Sequence, residues 1–173
     1  MWLLGDHRLV VGDSTDPSVI AAATDGRLAD LVVTDPPTTW PTKAAPRTSL
    51  AIANDEMSDA AFGDFLQRAF TAALTNTSAG GAIYVFYASA ETPNFRRGLS
   101  EGGWLYKQDL VWIKDRFVLS RQDYHWQHEP VLYGWKPGAA HRWYGGFTPA
   151  TVVDDQARPD GAQEEDEGGT PRA

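Results

Sequence analysis

The sequence has no cysteine and only two methionines among its 173 residues. Without thiols there can be no disulfides and no thiolate-ligated metal site, and a cytoplasmic location is the expectation. No apolar run approaches the roughly 20 residues that a membrane-spanning helix needs. Met1-Trp2-Leu3-Leu4 gives way at once to Gly5-Asp6-His7-Arg8, so the start lacks the shape of a signal peptide, and no membrane association is expected. There is also no excess of positive charge. The chain carries 23 acidic and 15 basic residues, a formal net charge of −8. The deficit is uneven. Residues 151–173 hold seven acidic residues and two arginines, whereas residues 1–150 are close to balanced, with 16 acidic and 13 basic. The global charge therefore neither supports nor excludes a nucleic-acid partner, and local basic patches remain open.

What is present argues for a folded protein. Hydrophobic residues make up 42% of the chain and there are seven tryptophans. The length suits a single domain with a sizeable core, drawn here over residues 1–150. Residues 151–173 form an acidic, Gly/Pro-rich tail with little apolar surface, expected to be disordered. Residues 8–13 read as a short buried strand ending in a turn. Residues 17–23 read as a helix, with Asp16 as N-cap and Pro17 at its first position. Residues 31–34 are a second buried strand, β-branched and bounded by turn residues. Residues 38–54 read as a mobile loop. A helix is predicted over residues 59–74, capped by Ser58, with Phe62, Phe65, Leu66, Ala69, Phe70 and Ala73 on one face. Strands are predicted at 82–87, 104–113 and 130–135, with a short helix over 92–100. Strands alternating with helices indicate an α/β fold with a mostly parallel sheet. The last two strands have no helix between them and are expected to pair antiparallel.

The most informative motif is Asp35-Pro36-Pro37-Thr38, at the end of the apolar run Leu31-Val32-Val33. A buried strand ending in Asp-Pro-Pro sets a carboxylate at the carboxyl end of the sheet, where open α/β folds bind ligands. Two prolines fix φ, remove two backbone donors and push the preceding residues into extended conformations. The loop is stiff, and Asp35 keeps acceptor oxygens free for an amine.

With its flanks, Gly12-Asp13-Ser14-Thr15 upstream and Val33-Thr34 immediately before, this motif resembles the permuted DNA amino-methyltransferases of the phage and plasmid type. Their signature is Asp/Asn/Ser-Pro-Pro-aromatic. The resemblance continues through Asn54-Asp55-Glu56-Met57-Ser58, Phe62-Gly63-Asp64-Phe65-Leu66 and Gly81-Ala82-Ile83-Tyr84-Val85-Phe86. Its most specific stretch runs from Leu110-Val111-Trp112-Ile113-Lys114 through Arg121-Gln122-Asp123-Tyr124-His125-Trp126-Gln127-His128-Glu129-Pro130 to Tyr133-Gly134-Trp135-Lys136. Together the matches cover roughly residues 4–146.

The resemblance implies a Rossmann-like methyltransferase fold and transfer of a methyl group from S-adenosylmethionine to the exocyclic amine of adenine (N6) or cytosine (N4) in double-stranded DNA, as in restriction–modification. Asp35 and the Pro36 carbonyl would accept from the amine of a base flipped out of the duplex. Pro37 would stiffen the loop. Asp13, with Asp35, would lie near the cofactor. Position 38 is an aromatic residue in the family and stacks on the base. Thr38 offers no such face, and stacking is worth roughly 1–3 kcal/mol per base. The family's Phe-x-Gly-x-Gly turn, which holds the methionine part of the cofactor, has no counterpart in this sequence. The chain is expected to be truncated relative to the family, keeping the base-binding half and lacking most of the cofactor half. A complementing polypeptide would then carry the remainder. The alternative is an inactive remnant that at most binds DNA. A third reading, an unrelated Asp-Pro-Pro binding protein, requires the match over residues 104–146 to be chance.

His125, His128 and Glu129 match no common zinc spacing, and no metal is expected. Arg116, Arg121, Lys136, His141 and Arg142 interleave with aromatics, which suits a groove meeting phosphates. Scattered surface charges are an equally open reading. Asp13 could also be no more than a turn residue.

Overall fold

The computed structural model describes residues 1–37, 57–119 and 123–154. Along them run β1 (Trp2–Leu4), β2 (His7–Leu9), α1 (Pro17–Thr24), β3 (Ala29–Thr34), α2 (Asp59–Thr75), β4 (Thr77–Phe86), α3 (Thr92–Glu101), β5 (Leu105–Val118), β6 (Trp126–Trp135) and β7 (Val152–Asp154). Thr38, Arg121, the loop expected over 38–54 and the tail beyond Asp154 lie outside the described residues.

Five strands make one sheet in the order β3-β4-β6-β5-β7. The β3/β4 and β5/β7 pairs are parallel, and β6 is antiparallel to both of its neighbours. Four strands therefore run the same way, as the α/β pattern predicts. The direct passage from β5 to β6 reverses the chain, because a parallel connection needs a longer crossover.

The helices form where the sequence places them. Asp16 caps α1 by accepting from the Ser18 backbone N at 2.8 Å, and Ser58 caps α2 by accepting from the Ala61 N at 3.3 Å. On α2, Phe62, Leu66 and Phe70 recur at four-residue spacing and are buried. They pack with Phe95 and Leu99 of α3 and with Ile83, Val85 and Leu132 of the sheet. Burying each such side chain contributes about 1.5–3 kcal/mol. α3 lies hard against α2: a Cβ on Gly98 would sit 2.8 Å from Leu66 Cβ, and one on Gly102 2.8 Å from Phe70 Cβ. Both helices thus cover one face of the sheet.

Three sequence expectations are corrected. Residues 8–13 do not form a buried strand of the sheet. Instead β2 pairs with β1 in a separate antiparallel hairpin. A two-residue turn with Gly5 at φ +62° closes it, and Trp2, Leu3, Leu4 and Leu9 remain exposed. β3 is not a fully buried strand. It stands first in the sheet order, and among the described residues α2 and α3 cover one face of the sheet, so Val32 packs on the core while Leu31 and Val33 stay 52% and 61% exposed. The tail drawn from residue 151 begins too early, because Val152–Asp154 pair in parallel with Val111–Ile113 of β5. The β5–β6 pair is also longer than predicted, since pairing resumes at Val118 with Trp126, past a register shift after Ile113.

Candidate functional site

Asp35 follows the last residue of β3, at the carboxyl end of the sheet. Side chains alternate between the faces of a strand. Val33 pairs with Tyr84, and Thr34 with the core residue Val85. The alternation therefore carries Asp35 onto the Tyr84 face, opposite the helices. Phe86 ends β4 on that same face and meets Trp112 of β5 edge-on, at 6.1 Å and 88°. Trp112 pairs with Glu129 of β6. Lys114, two residues beyond Trp112, donates its ammonium to Glu129 Oε1, and the Lys114 carbonyl accepts from Gln127 Nε2 at 3.3 Å.

Asp35, Phe86, Trp112, Lys114 and Glu129 thus share one face and one end of the sheet. Of these, sequence reasoning gave a catalytic role only to Asp35, and weighed Glu129 only as a metal ligand. Trp112, Lys114 and Glu129 stood within longer runs, and their two-residue spacing along neighbouring strands was the available signal.

The electrostatics follow from this placement. Partial burial, and then the negative charge of Glu129, hold the Asp35 carboxyl above its ordinary value of 3.8. Solvent still reaches Asp35, which screens both effects. Burial likewise raises the Tyr84 and Tyr133 hydroxyls, whose rings lie 4.9 Å apart on the same face.

Asp13 lies in the loop between β2 and α1. Its carboxylate accepts from the Thr15 backbone N and from Thr15 Oγ1, both at 2.8 Å. The Thr15 bonds, first the backbone one, pull its pKa below 3.8. Arg68 of α2 donates to Thr15 Oγ1 at 2.8 Å, so the loop is tied to α2.

The basic residues divide. Arg116 lies further along β5, where the pairing with β6 shifts register between Ile113 and Val118, with a 90% exposed side chain 3.8 Å from Asp115. Lys136 is turned elsewhere, donating to the carbonyls of Leu74 and Thr77 at 2.8 and 2.7 Å. Arg142 pairs with Asp30, and its backbone N donates to the Gly80 carbonyl. Pro36 and Pro37 are half-buried beside Asp35. His125 stacks on Phe117 at 5.1 Å, and Trp126 meets His128 edge-on at 5.6 Å. Among the described residues no cluster of three potential metal ligands exists, and no helix is long and apolar enough to cross a membrane.

No protein-family model and no curated protein matches the chain. Solved structures do. TTHA0409 of Thermus thermophilus, a candidate DNA modification methylase, matches with a TM-score of 0.56 and 20% identity over 86% of this chain and 67% of its own. Its complex with S-adenosyl-L-methionine matches with a TM-score of 0.54, over 69% of its length. M1.HpyAVI matches with a TM-score of 0.53 and 13% identity over 84% of this chain.

The chain has an α/β methyltransferase fold. It spans 54% and 64% of M1.HpyAVI in two crystal structures, and about two thirds of TTHA0409. In this methyltransferase sheet Asp35 stands at the carboxyl end of β3, the strand at one edge.

Proposed function

We propose that the chain is the base-binding part of a DNA amino-methyltransferase, acting on N6 of adenine or N4 of cytosine in double-stranded DNA. The observation that carries this reading is the place of Asp35, ahead of Pro36 at the carboxyl end of β3, in a sheet of the kind found in a structure solved with S-adenosyl-L-methionine. S-adenosylmethionine would supply an electrophilic methyl group. Asp35 would accept one hydrogen of the flipped amine and the Pro36 carbonyl the other, aiming the nitrogen lone pair. Asp35 would also be the group placed to take up the N–H proton that the amine sheds once methylated. Positioning and fixed charge supply most of such catalysis. Phe86 and Trp112 provide aromatic surface on the same face. Arg116 stands on the β5–β6 ribbon beyond Asp35, and a two-stranded ribbon fits the major groove. Such a protein would work on cytoplasmic DNA, in restriction–modification.

For the cofactor, the fit is one-sided. Asp13 is engaged with Thr15, and the sequence offers no Phe-x-Gly-x-Gly turn for the methionine part. A second polypeptide would complete the site. The edge of β3 away from β4 has no partner among the described residues, and Leu31 and Val33 beside it are exposed. The second reading, a remnant that binds DNA without methylating it, is favoured by the same missing turn and by Thr38.

The deciding experiment measures methyl transfer to duplex DNA by the chain, alone and with a complementing half. Asp35→Ala abolishes whatever activity exists. Thr38→Tyr raises it about ten- to hundred-fold, from roughly 1–3 kcal/mol of added stacking. Full activity in Asp35→Ala with no gain in Thr38→Tyr would remove Asp35 from the reaction.

A further inference from the structure

The target amine is neutral before methylation and cationic immediately after it. A site that favours this change concentrates negative charge near the nitrogen, and it keeps its proton acceptor basic. Asp35 alone does this poorly, because solvent reaches it. On the same face of the sheet, at the same end and two strands away, stands a second carboxylate, Glu129 of β6. Strands are spaced about 4.8 Å apart, so the backbones of β3 and β6 are separated by roughly 10 Å, with the end of β4 and the Phe86 ring between them. Glu129 is not loose. The Lys114 ammonium bonds one of its oxygens, and pairing with Trp112 fixes its backbone.

We propose that Glu129, anchored by Lys114, is a positioning residue of the target-base site, facing Asp35 across the end of β4 and strengthening Asp35 as acceptor for an amine that becomes cationic. This inference rests on the reading of Asp35 as the base-binding carboxylate. The groups facing Asp35 on that side of the sheet are Tyr84 on β4, Glu129 and Tyr133 on β6, and Lys114 on β5. Tyr84 and Tyr133 have their hydroxyl pKa values raised and are neutral at physiological pH. Lys114 partly offsets Glu129 but lies beyond it. Burial first, and then the charge of Glu129, raise the Asp35 pKa. Two carboxylates sharing one site push a proton affinity upward by mutual repulsion.

The test is a carboxyl-carbon NMR titration of the full chain labelled at aspartate and glutamate, with Asp35 assigned by the signal lost in Asp35→Asn. The Asp35 midpoint is expected above that of an ordinary aspartate in the wild type. It falls in Glu129→Gln and stays raised in Glu129→Asp, which keeps the charge. An Asp35 midpoint that does not move in Glu129→Gln overturns the proposal. A drop in Glu129→Asp equal to that in Glu129→Gln also overturns it, since packing rather than charge would then be at work. A parallel measurement separates the two readings: fluorescence of duplex DNA carrying 2-aminopurine, which brightens when the base is unstacked. If Asp35→Ala leaves that brightening intact, the base-site reading fails, while the titration still reports whether Glu129 and Asp35 are coupled.

Discussion

Lys136 fastens the end of β6 to the end of α2, with its ammonium nitrogen 2.8 Å from the Leu74 carbonyl oxygen. It also reaches the Thr77 carbonyl at 2.7 Å. The last carbonyls of a helix have no partners within it and carry partial negative charge, so a cation there is doubly favoured. The resemblance to a DNA-binding family suggests this lysine as a phosphate contact, yet two of its three donors are engaged within the protein. Lys136→Met should cost roughly 1–3 kcal/mol of stability, the worth of charge-assisted bonds and of the carbonyls left behind. Denaturant unfolding measures this. A variant that unfolds with the wild type while losing DNA affinity would return Lys136 to the DNA interface.

Arg116 and Arg142 should behave differently towards DNA. Arg116 is almost fully exposed, with only a long 3.8 Å approach to the exposed Asp115, and an arginine meeting a phosphate contributes about one unit to the slope of affinity against salt. Arg116→Ala is expected to weaken duplex binding and flatten that slope by about one. Arg142 pairs with Asp30, so Arg142→Ala should change the slope less. Fluorescence anisotropy across a salt series distinguishes them, and equal slopes for the two variants would remove Arg116 from the interface.

The raised pKa of Asp35 carries a stability cost. A carboxyl with a higher pKa in the folded state holds its proton more tightly there, so its contribution favours folding below pH 3.8. That contribution is lost as pH rises through the folded value. Asp35→Asn mimics the neutral form. Its stability advantage over the wild type should be small in acid and widen as pH climbs from 3.8 past the raised value. Melting temperatures at stepped pH test this, and an advantage that shrinks with rising pH would contradict it. Activity should be lost in the same variant, since an amide oxygen is a poor proton acceptor. Strain or repulsion held at a functional group commonly trades stability for activity.

The α2–α3 contact leaves no room at Gly98, where an added Cβ would lie 2.8 Å from Leu66 Cβ. Gly98→Val should destabilise the chain by about 1–3 kcal/mol through overpacking. Leu66→Ala combined with it should not restore the loss, because alanine keeps the Cβ that lies 2.8 Å away and the other near atoms are backbone. Denaturant unfolding measures this, and a Gly98→Val variant as stable as the wild type would show that the two helices part there without cost.

By itself the sequence determined the local elements and the motif. Helical periodicity and the caps Asp16 and Ser58 located α1 and α2, because hydrogen bonds to Ser18 and Ala61 and a four-residue apolar repeat depend only on near neighbours. The β-branched run before Asp35-Pro36-Pro37 announced β3 and a carboxylate at its end. What the tertiary structure decided was everything that depends on pairing across the sheet. Residues 8–13 looked like a core strand, yet the nearer partner Trp2–Leu4 and the Gly5 turn captured residues 7–9 in a hairpin. Leu31 and Val33 looked buried, and among the described residues the placement of α2 and α3 on the other face and the edge position of β3 leave them exposed. Glu129 lies 94 residues beyond Asp35 in the chain. Register and the alternation of side chains bring the two to one face, and no local pattern records a relation that two intervening strand pairings create.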